Sequence, residues 1–245
     1  MLKQVANLDF PTRWAHFRLL AFESHRTNKK TGATALETAL ALVLGDIHRA
    51  PPMVRIHSQC ATGEIFHSLR CDCHDQLHLA LQAIGQEGAG VLVYEHQEGR
   101  GIGLFEKLRA YELQDRGLDT VEANLRLGHP VDARDYALAV QILLYLKVSS
   151  LRLMSNNPEK IAAVESAGIE VVERVSADAG SNPHSSRYLA TKREKLGHLS
   201  GRASYRPTSA HYVGHGDSLS GNYPQATGAA VDFAESLRGD PWQMS

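Results

Sequence analysis

Four short apolar runs set the terms for any fold this chain adopts. Met53–His57 and Val91–Tyr94 are compact, rich in branched or aromatic residues and bounded on at least one side by Pro or Gly, as short strands are. Leu151–Met154 and Ile169–Val175 share that character. Between the runs lie helical patterns. Gln76–Ile84 carries Leu77, Leu79, Ala80, Leu81 and Ile84, Leu104–Asp115 follows, and Arg134–Leu146 sets Leu138, Ile142 and Leu146 on one face. Pro158 and Gly168 bracket a further helix, one at its start and one past its end. Strands and helices mixed along one chain predict a single α/β (mixed α+β) domain.

The pattern runs from about Met1 to Ser176 and stops beyond His198. Residues 1–199 therefore read as the folded domain. From Ser200 to Ser245 the chain is rich in Gly, Ser, Pro, Asn and His, with scattered apolar residues such as Tyr205, Val213 and Phe233, and reads as a low-complexity, disordered tail.

A chain of 245 residues buries a sizeable core without disulfides. With 26 basic and 27 acidic residues the formal charge is -1, so no global positive field draws nucleic acid, and any phosphate must be met locally. The opening MLKQVANLDFPTRW lacks the apolar run of a signal peptide, and no stretch approaches the ~18–20 apolar residues of a membrane span. Three cysteines make an odd set that fits reduced thiols better than a disulfide framework. A cytoplasmic protein without a membrane or nucleic-acid partner is expected.

Those cysteines are clustered in CATGEIFHSLRCDC as Cys60, Cys71 and Cys73. Three protein ligands around a zinc ion leave the fourth tetrahedral position to water, which is how catalytic sites differ from structural ones. Such a water becomes a nucleophile near neutral pH. Two other arrangements satisfy the same spacing: three incidental buried thiols, or a structural site closed by His57, His67 or His74. The tight Cys-x-Cys pair favours the open reading.

RIHSQCATGEIFHSLRCDCHDQL, YEHQEGRGIGLFEKLRAYELQDRGLDTVEAN, LGHPVDARDY and SNNPEK follow one another over roughly Leu8–Leu199, and together they resemble the GTP cyclohydrolase II family of riboflavin biosynthesis. The resemblance implies hydrolysis of GTP at C8, loss of formate and diphosphate, and a diaminopyrimidinone ribosyl phosphate as product. It makes Cys60, Cys71 and Cys73 the ligands of one Zn2+ per chain and pairs Mg2+ with the GTP triphosphate. Arg55, His57, Ser58 and Gln59 fall on the family's nucleotide-contact strand, and Gln76, Glu98, Gly99, Arg100, Thr120, Ser155 and Lys160 on further ligand positions. Tyr111 matches a tyrosine of the ring-opening chemistry, Asp132 the acid-base aspartate, and Arg134 an arginine assigned as nucleophile at the α-phosphorus. Guanidinium is protonated at ordinary pH, so phosphate clamping by Arg134 is the simpler expectation. Homodimerisation is implied as well. The companion riboflavin enzyme, fused at the N-terminus in some members, has no room here, so one activity is expected.

Some positions depart from the family pattern. Gln59 replaces a glutamate before the first cysteine, His74 a small residue after the last, and Ala15 a glycine near the opening. Gln59 motivates two alternatives: a paralogue serving another pathway, such as toxoflavin-like synthesis, or one that keeps the formyl group. A third alternative is a non-catalytic nucleotide-binding protein with a closed zinc site.

Overall fold

A computed structural model of the chain describes residues 1–27, 34–178, 180, 182–199 and 201. The tail expected over 200–245 lies, but for residue 201, outside them. The described residues form one seven-stranded sheet of β1 (Lys3–Pro11), β2 (His16–Thr27), β3 (Thr34–Leu44), β4 (Met53–Ser58), β5 (Gly90–Glu95), β6 (Ser150–Met154) and β7 (Glu170–Val175). Their spatial order is β1-β2-β3-β5-β4-β6-β7. On one side β1, β2, β3 and β5 pair antiparallel; on the other β5, β4, β6 and β7 pair parallel. The mixed α/β class is as expected, and all four apolar runs became the parallel strands.

No element was assigned before Met53, and there the structure has three long strands. β3, TALETALALVL, is composed of good helix formers, yet it pairs with both β2 and β5. Tertiary pairing overrides that propensity, because Ala39 and Ala41 fit flat against the sheet's neighbours while fully buried.

Period-two alternation sends the centre of the sheet to two cores. Val54, Ile56, Val91 and Val93 face one, with Ile142 and Leu143 of α5 (Ala137–Tyr145) and Val164 of α6 (Pro158–Ser166). Met53 and Leu92 face the other, with Ala80, Ala83 and Ile84 of α2 (Cys73–Glu87). Each such large apolar side chain contributes roughly 1.5–3 kcal/mol by leaving water. Along β4 the second face changes character, since Met53 is followed by Arg55 and then His57, both buried. The polar end of that face is where the functional groups collect.

The remaining helices are α1 (Ala61–Glu64), α3 (Leu104–Asp115), α4 (Thr120–Arg126) and α7 (Ser186–Leu196). α5 starts three residues later than Arg134 because Asp135 Oδ1 accepts from the Ala137 backbone N–H at 2.7 Å and acts as the entry turn. α4 begins with a capping box in which Asp119 accepts from the N–H groups of Val121 and Glu122, and Glu122 accepts from that of Asp119.

Candidate active site

Cys60 follows β4, the Glu98–Arg100 loop follows β5, and Ser155 with Lys160 follows β6, so the site lies past the carboxyl ends of the parallel strands, where open α/β sheets gather their ligands. Two adjoining chambers meet there. The first, about 630 Å³ with its mouth, is lined by all three cysteines and by Gln59, Glu98, Gly99, Tyr111 and Thr120. The second, about 520 Å³, is lined by Arg55, His57, Gln76, Ser155 and Lys160. Ser58, Arg100 and Arg134 line both. Of the site residues that the family resemblance implies, Asp132 alone lines neither.

The sulfurs converge. Cys60 Sγ and Cys71 Sγ are 3.7 Å apart, and all three sulfurs lie within 4.8 Å of one another. Around a tetrahedral zinc with Zn–S bonds of about 2.3 Å the sulfurs sit about 3.8 Å apart, so the trio fits that ion. Gly63 makes the approach possible, because a Cβ there would stand 3.0 Å from Cys71 Sγ and 3.3 Å from Cys60 Sγ. Among the described residues no histidine or carboxylate joins the trio at that range. His57 Nε2 instead meets Glu64 Oε1 at 2.9 Å, while the His67 and His74 rings pack against one another at a 57° tilt. The fourth position is therefore left open by the side chains that were near in sequence.

Around the sulfurs the polar groups hold one another. Glu98 accepts from the Ala61 N–H at 2.6 Å, the Gly99 N–H at 3.0 Å and Lys107 Nζ at 2.8 Å. Its carboxylate thus fixes the loop that carries Cys60. Lys107 Nζ also donates to Cys60 Sγ at 3.0 Å. Hydrogen bonds from Cys71 and Cys73, with the Lys107 charge beside them, pull the Cys60 thiol below its usual range. Glu64 accepts from the Cys60 N–H at 2.8 Å and from the Tyr94 hydroxyl at 2.6 Å. Burial first, with those sulfurs contributing, pushes the Tyr111 hydroxyl up to about 12, which keeps it a proton donor; Arg70 stacks 4.4 Å from its ring.

The second chamber is cationic. Arg55 Nη1 donates to the Met154 carbonyl at 3.0 Å and Nη2 to Gln76 Oε1 at 2.7 Å, and Gln76 in turn donates to Asp72 at 2.6 Å. Burial lowers Arg55 to about 10 and His57 to about 4, so the arginine stays charged and the histidine neutral at pH 7. Lys160 Nζ donates to the Ile56 carbonyl at 2.8 Å rather than pointing outward, and burial among Arg55 and Arg134 drives it well below the normal lysine range. Arg134 grips Asp132 in a fork, with Nε to Oδ1 at 2.9 Å and Nη2 to Oδ2 at 2.5 Å. Burial opposes charge on both, yet their mutual hydrogen bonds lower Asp132 and raise Arg134.

Arg100 stands apart. It occupies the left-handed region at φ 61° between Gly99 at 62° and Gly101 at 87°, and a Cβ at position 101 would lie 2.8 Å from the Ala133 carbonyl. That coil buries the guanidinium with Nη1 and Nη2 unpaired. A buried cation without an anion is costly unless a ligand completes it.

The GTP cyclohydrolase II family model matches residues 3–176. The chain belongs to the GTP cyclohydrolase II family. It is 50% identical over 193 residues, 78% of its length, to riboflavin biosynthesis protein RibBA of Parabacteroides distasonis, of which it covers 46%. It is 49% identical over 208 residues, 84% of its length, to riboflavin biosynthesis protein VVA0006 of Vibrio vulnificus, covering 54% of that protein. GTP cyclohydrolase-2 of Neisseria meningitidis serogroup B is 48% identical over 200 residues, 81% of this chain and 97% of that one. The chain thus spans about half the length of the RibBA relative and nearly all of the GTP cyclohydrolase-2. No helix among the described residues is long and apolar enough to cross a membrane.

This member of the GTP cyclohydrolase II family also uses residues that sequence reasoning passed over. Lys107 lies one helical turn before Tyr111 on α3, and that i,i+4 spacing was a readable signal that both face the sulfurs. Asp72, between two of the cysteines, anchors Gln76. Tyr188, Lys192 and His198 line the cationic chamber.

Proposed function

We propose that the chain is a zinc-dependent GTP cyclohydrolase II: it hydrolyses GTP at C8 of the guanine ring and releases formate and diphosphate, giving 2,5-diamino-6-(5-phosphoribosylamino)pyrimidin-4(3H)-one. The observation that carries this reading is the junction of the two chambers, where a sulfur trio with an open side shares Ser58, Arg100 and Arg134 with a cationic cavity. A purine ring with a polyphosphate at its far end needs such a pair of neighbouring environments.

Zinc bound at Cys60, Cys71 and Cys73 supplies Lewis acidity and an activated water for the ring hydrolysis. Lys107 and Glu98 keep the Cys60 loop in register. Tyr111, protonated through the working pH range, donates its hydroxyl proton toward the opening ring. Arg100 clamps phosphate oxygens with its free fork, Arg55 extends the positive wall, and Lys160 stands beside it as a hydrogen-bond donor. Arg134, held by Asp132 in its charged form, acts as an electrostatic clamp at the α-phosphate; the pairing argues against its losing the proton that covalent attack requires. Mg2+ travels with the triphosphate. We further propose that residues 1–199 are the catalytic unit, that the protein is a cytoplasmic homodimer, and that GTP is its sole nucleotide partner.

The test is incubation of zinc-loaded protein with GTP and Mg2+. Release of formate and diphosphate in equal amounts is expected, and their absence rejects the reading. Gln59 lines the sulfur chamber where a carboxylate is usual in the family, which favours a second reading in which the formyl group is kept. Product mass decides between them, since a retained formyl adds the mass of one carbonyl.

A further inference from the structure

α7 lies beyond residues 3–176 of the family match, and it completes the cationic chamber. Tyr188 and Lys192 are four residues apart, which sets them on one face of the helix. Lys192 Nζ contacts Asp72 at 3.1 and 3.3 Å, and Asp72 holds Gln76, which holds Arg55. One hydrogen-bonded line therefore runs from α7 past the cysteine loop to β4. The rim that follows is fixed too, because the Leu199 N–H donates to the Asn156 carbonyl at 2.9 Å. Lys195 is paired with Asp119 at the head of α4.

The charge arrangement says what such a wall is for. Arg100 has an unpaired guanidinium and lies 5.5 Å from the Tyr188 ring, with Lys192 Nζ 5.2 Å from that ring on the same helix. Burial, followed by the charges of Lys192, Arg134, Arg100 and Lys160, depresses His198 to about 3. Asp72 offsets Lys192 and Asp132 offsets Arg134, but both terminal nitrogens of Arg100 have no hydrogen-bond partner, so the cluster still has room for a bound anion.

We propose that α7 and its C-terminal rim form the polyphosphate wall of the nucleotide site, with Lys192 as a phosphate-binding residue and Tyr188 as a positioning residue. This rests on the proposed GTP reaction for its substrate, but not for its anion. Lys192, buried and held by Asp72, lines the chamber with Arg55 and Lys160 and donates to bound phosphate oxygens; the Tyr188 ring lies against both Arg100 and Lys192 and positions them.

The experiment is calorimetric binding of inorganic tripolyphosphate and of guanosine to zinc-loaded full-length protein and to Lys192→Met and Lys192→Arg. Lys192→Met is expected to weaken tripolyphosphate about tenfold or more, the worth of one charge-assisted hydrogen bond, with guanosine binding and zinc content unchanged and Lys192→Arg recovering most of the loss. Tripolyphosphate binding unaffected by Lys192→Met overturns the proposal. So does an equal loss for guanosine, or a loss of zinc, since either makes Lys192 a tether of the Asp72 loop and no more. If the wild-type protein binds tripolyphosphate through Lys192 but releases no formate from GTP, the wall stands and the reaction falls.

Discussion

The two chambers of the site are built on opposite plans. On the sulfur side the buried polar groups are already matched: Glu98 takes three donors, Glu64 takes three, and Lys107 bridges a carboxylate and a cysteine sulfur. On the cationic side Arg55 Nε, and on the wall it shares with the sulfur side Ser58 Oγ and both terminal nitrogens of Arg100, are buried without a partner among the described residues. Unmet buried polar groups cost stability, and natural folds keep few of them. The first chamber is a finished frame with the ligands to hold an ion; the second has polar groups left for an anion to complete.

The largest expected effect breaks the frame. Cys73→Ala should abolish zinc binding and bring formate release to the uncatalysed background, measured by metal analysis and formate assay on the same sample. If zinc survives, the trio is not the metal site. Lys107→Met tests the frame more finely: removing the cation beside Cys60 should lower zinc affinity by roughly 10- to 100-fold, the usual cost of losing a partner of a metal ligand. Chelator competition would measure it.

Arg100→Met tests the unfinished side. Because the guanidinium lacks a partner, its loss should leave the melting temperature unchanged or higher, with zinc content intact, while KM for GTP rises about tenfold or more. A clear drop in melting temperature together with an unchanged KM would show that Arg100 serves the fold and not the ligand.

The last effect touches stability rather than binding or turnover, and it concerns pH. His57 is held at about 4 in the fold against 6.5 when free, so between those values the unfolded chain takes a proton that the folded one refuses. That contribution to stability is complete above pH 6.5, shrinks as pH falls and is exhausted below about 4, an effect on the order of 3 kcal/mol. Denaturant titrations across that range should show a shallower slope in His57→Gln than in the wild type. An identical slope would mean that His57 does not stay neutral in the fold.

How much of this could be read from the sequence depended on what each residue faces. β4 to β7 were legible because their side chains meet apolar neighbours and print compact apolar runs. β3 was not, since its alanines and leucines favour a helix in isolation and become a strand only through β2 and β5. α7, SRYLATKREKL, hides for another reason: Tyr188 and Lys192 on one of its faces meet a polar cavity, so no apolar stripe marks it. The cysteine trio was legible because chemistry restricts those residue types, whereas Arg55, His57 and Ser58 came only through the family resemblance. Glu98 was legible as a site residue, but its bonds to Ala61, Gly99 and Lys107 depend on contacts between segments far apart in sequence.

The account stands on an ion held by three sulfurs with one side open to substrate, and the visible spectrum of the cobalt-substituted full-length protein tests it most directly. The prediction is a thiolate-rich tetrahedral spectrum that shifts when a non-hydrolysable GTP analogue is added, because the ligand reaches the open side. A six-coordinate spectrum, or a tetrahedral one that the analogue leaves unchanged, would contradict it.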